Sequence, residues 1–236
     1  MKTNCLLRLA TLLSLAGVTI TAQAGVIIAS DAPGSVIADD SNTGLISTLH
    51  VTEAETVSSV TVSLNLSVPD GQTGWFGDLY AYVQHGSDIA VLLNRPGRTD
   101  VTPYGYADGQ SAALTFADGA ASGDIHNYRV TLFGNPSTPL TGTLGGTWAP
   151  DGRVADPDTV TATSPRSAPL SQLAGGSSVG NWTLFIADLS GGGKYRLDNW
   201  SLTLNTYTPV PEPTSTAVIT ALGLGSWLLF RRARRR

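Results

Sequence analysis

Apolar and polar residues alternate with a period of two through most of the middle of the chain. The clearest segments are residues 60–66 (Val-Thr-Val-Ser-Leu-Asn-Leu), 182–186 (Trp-Thr-Leu-Phe-Ile) and 200–204 (Trp-Ser-Leu-Thr-Leu). Successive side chains of a β-strand point to opposite faces, so this period indicates half-buried strands. Residues 128–132 (Tyr-Arg-Val-Thr-Leu) alternate in the same way and are predicted as a further strand.

Two apolar runs, residues 79–83 and 89–93, are predicted as more deeply buried strands. Sequences rich in Gly, Pro, Asp and Ser separate the strands, among them Pro69-Asp70-Gly71 and Arg95-Pro96-Gly97. Residues 134–176 are rich in turn formers and are expected to form long surface loops. No amphipathic helix of about ten residues is predicted between the two chain ends. The pattern therefore predicts an all-β fold, an antiparallel β-sandwich.

Residues 1–24 have the features of a secretory signal peptide. Lys2 and Arg8 supply positive charge at its start, residues 6–20 are mostly apolar, and an Ala-Gln-Ala sequence follows them. We expect signal peptidase to cut between Ala24 and Gly25, which would remove Cys5, the only cysteine. The alternative for this segment is a buried N-terminal helix.

A second apolar run, residues 216–230, precedes a cluster of arginines at the C-terminus. As a helix it would extend about 22 Å, less than the ~30 Å hydrocarbon core of a bilayer. It is predicted as a short transmembrane helix whose basic end stays cytoplasmic, which gives a transiently inserted precursor. The preceding Val210-Pro211-Glu212-Pro213 is expected to be extended and open to a protease, since proline restricts the backbone and removes amide donors.

The three parts of this tail occur in the order found in the PEP-CTERM sorting signal, which residues 209–236 resemble. That resemblance implies processing by an exosortase at the motif Val210-Pro211-Glu212-Pro213. It also implies that the protein is exported to the cell surface or the exopolysaccharide matrix of a bacterium. The alternative is an ordinary single-span anchor.

Residues 25–208, the expected exported domain, contain seven basic and seventeen acidic residues, a net charge of −10. Such a charge disfavours nucleic acid as a partner, because binding of phosphates requires Lys and Arg. It is compatible with binding divalent cations or basic partners, and also with a role in solubility alone.

A sequence of the type Gly-x-Ser-x-Gly, with Ser178 at its centre, is the one feature that suggests a hydrolase. In hydrolases this motif forms a turn between a strand and a helix, whereas here a predicted strand follows it. The chain's three histidines, His50, His85 and His126, all precede Ser178 and lack the paired spacing of zinc ligands. We therefore expect that the domain is not an enzyme.

Five segments in this domain resemble the proprotein convertase P domain, also called the P/Homo B domain. They are Trp-Phe-Gly-Asp-Leu-Tyr-Ala-Tyr-Val at 75–83, Ile-Ala-Val-Leu-Leu at 89–93 with Pro96-Gly97, Pro-Leu-Ser-Gln-Leu-Ala-Gly at 169–175, Gly-Asn-Trp-Thr-Leu-Phe-Ile-Ala-Asp at 180–188 and Leu-Asp-Asn-Trp-Ser-Leu-Thr-Leu at 197–204. The resemblance implies a jelly-roll-like β-sandwich. In the convertases this domain follows a subtilisin-like protease and stabilises it.

Three carboxylates, Asp78, Asp118 and Asp188, stand where apolar strands begin or end near turns. Calcium takes six to eight oxygen ligands from carboxylates and loop carbonyls, so a cluster of these residues at one end of the sandwich could bind Ca²⁺. The alternative is that each Asp accepts hydrogen bonds from turn amides.

The sequence thus favours an exported, non-catalytic domain that acts as a binding or structural module, with extracellular polysaccharide or surface proteins as expected partners. The alternative is an accessory domain of a subtilisin/kexin-like proteolytic system. A β-sandwich by itself specifies neither ligand.

Overall fold

The computed structural model describes residues 23–208, which form ten strands and four short helices. The strands are β1 (Gln23–Asp31), β2 (Ser35–Val36), β3 (Ser41–Val51), β4 (Thr56–Ser67), β5 (Leu79–His85), β6 (Asp88–Asn94), β7 (Ala112–Phe116), β8 (Leu144–Trp148), β9 (Gly180–Asp188) and β10 (Arg196–Thr208). The helices are α1 (Tyr128–Phe133) and three 3₁₀ helices, Phe76–Asp78, Ile125–Asn127 and Leu170–Leu173. Residues Ala24–Thr208 form one compact unit.

The strands form two sheets, as the alternating sequence predicts. The six-stranded sheet has the order β1-β10-β4-β7-β8, with β2 also paired to β10, and the four-stranded sheet has the order β3-β9-β5-β6. In β4, β9 and β10 the apolar residues of the alternating segments are buried, while their polar neighbours are less buried. The prediction of an all-β fold is confirmed at this level.

One hydrophobic core contains side chains from both sheets. Its largest members are Trp148, Trp182 and Trp200, each at most 1% exposed. Burial of a large apolar side chain contributes roughly 1.5–3 kcal/mol, provided that its polar atoms find partners. The Trp200 indole donates to the Ser47 hydroxyl of the other sheet at 2.7 Å, and the Trp182 indole donates to the carbonyl of Ser178 at 2.9 Å.

The prediction that all strands are antiparallel is wrong, because β7 and β8 pair in parallel. Parallel neighbours cannot be joined by a tight hairpin and need a crossover connection. Residues 117–143 provide this connection, and they include α1.

The prediction of a strand at residues 128–132 is also wrong, because this segment forms α1. Asp124 caps the preceding 3₁₀ helix, because its carboxylate accepts the His126 amide at 2.9 Å, and Gly134, which follows α1, has the left-handed conformation. Tyr128 is buried, whereas Val130 and Leu132 are 44% and 46% exposed. The apolar residues that alternate in this segment are therefore not all buried, as they would be in a half-buried strand.

Residues 1–22 and 209–236 lie outside the described part of the chain. The predicted signal peptide is largely in the first range, and the motif at 210–213 and the predicted transmembrane helix are in the second. Within residues 23–208, no helix combines the length and hydrophobicity needed to span a membrane.

Candidate functional site

Two of the three carboxylates expected from the sequence meet at one end of the four-stranded sheet. The 3₁₀ helix Phe76–Asp78 leads directly into β5, and Leu79 at the start of β5 pairs with Asp188 at the end of β9. The Leu189 amide donates to the carbonyl of Asp78 at 2.9 Å. Asp78 and Asp188 are only 2% and 1% exposed.

Arg95, which follows β6, supplies a positive charge to this end of the sheet. Its guanidinium donates to Asp78 at 3.3 Å, to the Ser190 hydroxyl at 2.6 Å and to the exposed Asp158 at 3.0 Å. The backbone of Arg95 has a φ of +47°, which is unfavourable for a residue with a side chain. The three side-chain contacts, together with a bond from its Nε to the carbonyl of Gly77, explain how this conformation is held.

Asp188 differs from Asp78 in having no hydrogen-bond partner. Both of its carboxyl oxygens are buried and unpaired, and so is one carboxyl oxygen of the nearby Asp39. A buried ionised carboxylate without a partner is strongly unfavourable, so such a group takes up a proton instead.

The pKa values of the two carboxyls reflect this environment. Burial raises the pKa of Asp78 to about 6, although the attraction of Arg95 acts in the opposite direction. Burial and, after it, the negative charge of Asp78 raise the pKa of Asp188 to about 7, and this outweighs the opposing effects of the Ser190 backbone and of Arg95. Since the two groups interact, they titrate as a pair near neutral pH.

An acidic cleft of about 410 Å³ lies beside this pair. Leu189, the residue after Asp188, lines it, and so does Ser41, the partner of Asp188 in the sheet register. The other lining residues are Asp40, Asn42, Asp156, Pro157 and Asp158. The arrangement can hold a proton on a buried carboxyl near neutral pH, and it presents an anionic surface to solvent.

The third carboxylate, Asp118, has a different role. Its oxygens accept the amides of Leu170 and Ser171 at 3.1 and 2.7 Å, at the start of the 3₁₀ helix Leu170–Leu173. This is the capping role that was the alternative to calcium binding. Among residues 23–208, no three His, Cys, Asp or Glu side chains are arranged to hold a metal ion. The structure therefore does not assemble the expected set of Asp78, Asp118 and Asp188.

Ser178, the candidate nucleophile, is fully buried. Its hydroxyl donates to the carbonyl of Glu53 and accepts the amide of Glu55 at 3.0 Å, which ties the β3–β4 connection to the entry of β9. The Gly-x-Ser-x-Gly sequence thus leads into a strand, and the geometry of a hydrolase turn between a strand and a helix is not formed.

The three histidines occupy two separate settings. His126 is buried, with its ring nitrogens 2.9 Å from the Asp151 carboxylate and 3.2 Å from the carbonyl of Arg98. His50 and His85 line one groove and both contact Asn181, and the ring of His85 stacks on Trp182 with 4.0 Å between centroids.

Sequence reasoning identified Asp78 and Asp188 but missed Arg95, Asp39 and Ser190. Arg95 was noted only as part of a turn. An arginine just before Pro-Gly, in a domain with few basic residues, is the signal that could have marked it. Asp39 and Ser190 lie in Gly-, Asp- and Ser-rich connections, where the sequence does not distinguish a site residue from an ordinary turn residue.

No family model and no curated protein matches the sequence. The chain is similar to a few solved structures, among them two of a serine protease. A crystal structure of a serine protease of Aeromonas sobria has a TM-score of 0.43 and 14% identity, with 78% of this chain and 27% of that chain covered. A crystal structure of the complex between Aeromonas sobria serine protease and a chaperone has a TM-score of 0.42 and 15% identity, with 79% and 27% covered. This chain thus spans about a quarter of the length of those chains.

Proposed function

We propose that this chain is an exported, non-catalytic module with a jelly-roll-like sandwich of the P/Homo B type, sorted to a bacterial surface or exopolysaccharide matrix. Its two sheets support the proposal, because three of the segments that resemble the P domain form or lead into paired strands of the fold. Residues 180–188 are β9, residues 197–204 lie within β10, and the Gly-Asp-Leu sequence at 77–79 leads from the 3₁₀ helix Phe76–Asp78 into β5.

The observation that carries the non-catalytic assignment is the burial of Ser178. A nucleophile must be reachable by substrate and lie within hydrogen-bonding distance of a base. The hydroxyl of Ser178 is instead occupied by the backbone of Glu53 and Glu55. The only sequence feature that suggested hydrolysis thus has a structural use.

We expect purified residues 24–208 to show no labelling of Ser178 by a fluorophosphonate probe and no hydrolysis of casein. Ser178→Ala should instead destabilise the domain by about 1–3 kcal/mol, because the partly buried amide of Glu55 loses its acceptor. Labelling and thermal unfolding measure the two effects, with the exposed Ser87→Ala as a matched control. Probe labelling that Ser178→Ala abolishes would contradict the proposal.

The charge distribution supports a module with an anionic exterior. Four of the seven basic side chains within residues 25–208 are buried: Arg95, Arg98, Arg129 and Arg153. Each guanidinium bonds to carboxylates or to backbone carbonyls of the same domain. Few cations therefore remain at the surface, and nucleic-acid phosphates are an unfavourable partner.

We expect residues 210–236 to act as a removable sorting signal. In the native host, an epitope inserted after Gly25 should reach the surface or matrix, while one placed after Arg236 should be lost. Changing Pro211, Glu212 and Pro213 to Ala should trap full-length precursor in the membrane, because the exosortase loses its recognition sequence. Immunoblots of membrane and matrix fractions measure this.

The control for this experiment changes Thr214, Ser215 and Thr216 to Ala, which leaves the Pro-Glu-Pro motif intact. It should be processed like the natural protein. If the natural protein stays membrane-bound with both epitopes, residues 216–230 are a plain anchor and the sorting proposal is wrong.

The alternative function is that of an accessory domain of a subtilisin/kexin-like protease, which the P-domain resemblance suggests. A pull-down from the native matrix with residues 24–208 as bait distinguishes the two functions. Recovery of a serine protease that reacts with the fluorophosphonate probe would favour the accessory role, and its absence from the bound fraction would favour the independent module.

A further inference from the structure

The outer face of the four-stranded sheet carries an ordered set of uncharged side chains. The sheet register aligns them in rows across β3, β9 and β5. The rows are Ile46–Phe185–Tyr82, then Thr48–Thr183–Gln84, and then His50–Asn181. Residues two apart on a strand are separated by about 6.7 Å, so the three rows extend over about 13 Å.

The first row contains an aromatic pair. The rings of Tyr82 and Phe185 stack with 5.0 Å between centroids and 17° between planes, and both side chains are half-buried. Gly44 lies against Phe185, since a Cβ at this position would come within 2.6 Å of the ring, and its φ of +63° suits glycine. The pair is thus held in place before any ligand arrives, which reduces the entropy lost on binding.

The other two rows belong to a groove of about 620 Å³. It is lined by His50, Gln84, His85, Gly86, Val179, Gly180, Asn181 and Thr183. None of these residues is a carboxylate, Lys or Arg. In a domain whose net charge is −10, this groove is a region without acidic side chains.

Several polar atoms along these rows keep unused hydrogen-bonding capacity. The Asn181 amide oxygen contacts His50 at 3.0 Å, and the Gln84 amide nitrogen donates to the carbonyl of Gly86 at 2.9 Å. Among residues 23–208, the Asn181 amide nitrogen, the Gln84 amide oxygen and the Tyr82 hydroxyl have no partner. They offer both donors and acceptors to a ligand.

We propose that this face binds a neutral polysaccharide, with Tyr82 and Phe185 as its apolar contact and Gln84, Asn181 and Thr183 as hydrogen-bonding groups. The hydroxyls of a sugar both donate and accept, and its C–H groups pack against apolar side chains, so this chemistry matches the rows. A polyanion would be repelled by the charge of the domain, and a polycation would favour the acidic cleft beside Asp188. The length of the face fits an oligosaccharide segment better than a single sugar.

This inference rests on the proposed export to a polysaccharide-containing surface, but its test is independent of export. Residues 24–208, which form a compact unit with their own core, would be run in native gels containing dextran, laminarin, xylan or alginate. We expect at least one of the three neutral polymers to retard the domain and alginate, a polyanion, not to do so. Tyr82→Ala and Gln84→Ala should each weaken the retardation about tenfold.

The matched control is Asn199→Ala, whose amide contacts Asn65 in the six-stranded sheet, away from the groove. It should bind like the natural sequence, and unfolding curves would show that each variant is folded. Retardation by alginate alone, or by none of the four polymers, would overturn the inference. Retardation of Tyr82→Ala and Gln84→Ala to the same extent as the natural sequence would also overturn it. If the domain fails to bind but the tail is still processed, this inference is wrong and the proposed sorting is unaffected. If the domain binds but the tail is not processed, the proposed sorting is wrong and this inference is unaffected.

Discussion

Asp188→Asn is expected to stabilise the folded domain most above pH 7 and hardly at all near pH 4. Both carboxyl oxygens of Asp188 are buried without a partner, and burial, followed by the charge of Asp78, raises its pKa to about 7. The unfolded group has a pKa near ~3.9. Between these values the folded chain binds the additional proton, so its stability falls as the pH rises. Asn has nearly the same shape and does not ionise, so it avoids this loss.

The expected gain at pH 8 is at most about 4 kcal/mol, which corresponds to a rise of up to about 8–16 °C in melting temperature for a domain of this size. Thermal unfolding of residues 24–208 between pH 4 and pH 9 would measure it. Asp70→Asn, which alters an exposed carboxyl in a turn, should leave the melting temperature nearly unchanged throughout. A difference between Asp188→Asn and the natural sequence that does not vary with pH would contradict the explanation.

The same series distinguishes a proton from a calcium ion as the species that neutralises the pair. Because Asp118 accepts the amides of Leu170 and Ser171 and Asp78 pairs with Arg95, we expect equal melting temperatures in millimolar calcium and in chelator. A calcium-dependent increase of several degrees that disappears in Asp188→Asn would identify Asp78 and Asp188 as ligands of the Ca²⁺ expected from the sequence.

Asp108→Ala is expected to cause a large loss of stability. The Asp108 carboxylate is buried and accepts both Nε and a terminal nitrogen of Arg129, at 2.8 and 2.6 Å. It also accepts the Tyr128 hydroxyl and, at 3.0 Å, the amide of Leu140. Removing it leaves a buried guanidinium without its counter-charge, which typically costs about 3–5 kcal/mol.

Urea and thermal unfolding would measure this loss, which should lower the melting temperature by about 10 °C. Asp100→Ala, at an exposed position, is the control and should have almost no effect. The double variant Asp108→Ala, Arg129→Ala should lose less than the sum of the two single variants, because the unpaired charge is then absent. Strict additivity would show that the pair is not energetically coupled.

The alternation of apolar and polar residues was sufficient to predict β4, β9 and β10. In β4, β9 and β10 every second residue is apolar, and burial of that side is dictated locally by strand geometry. The positions of Asp78 and Asp188 at the ends of strands also followed from the sequence. Local patterns failed at 128–132, where the alternation is real but the exposed residues are the apolar Val130 and Leu132. That segment instead continues the 3₁₀ helix capped by Asp124 and ends as a helix at Gly134, which adopts the left-handed conformation.

Only the tertiary structure decided which residues meet. Asp78 and Asp188 are far apart in the chain and become neighbours through the pairing of β5 with β9, while Arg95 reaches them from the end of β6. Asp118, which looked equivalent to them in the sequence, is directed to the amides of Leu170 and Ser171 instead. Strand alternation depends on nearest neighbours and can be read locally. Contacts between distant segments form only when the two sheets pack together. These contacts decide the pairing register, the burial of a charge and which residues surround a carboxylate.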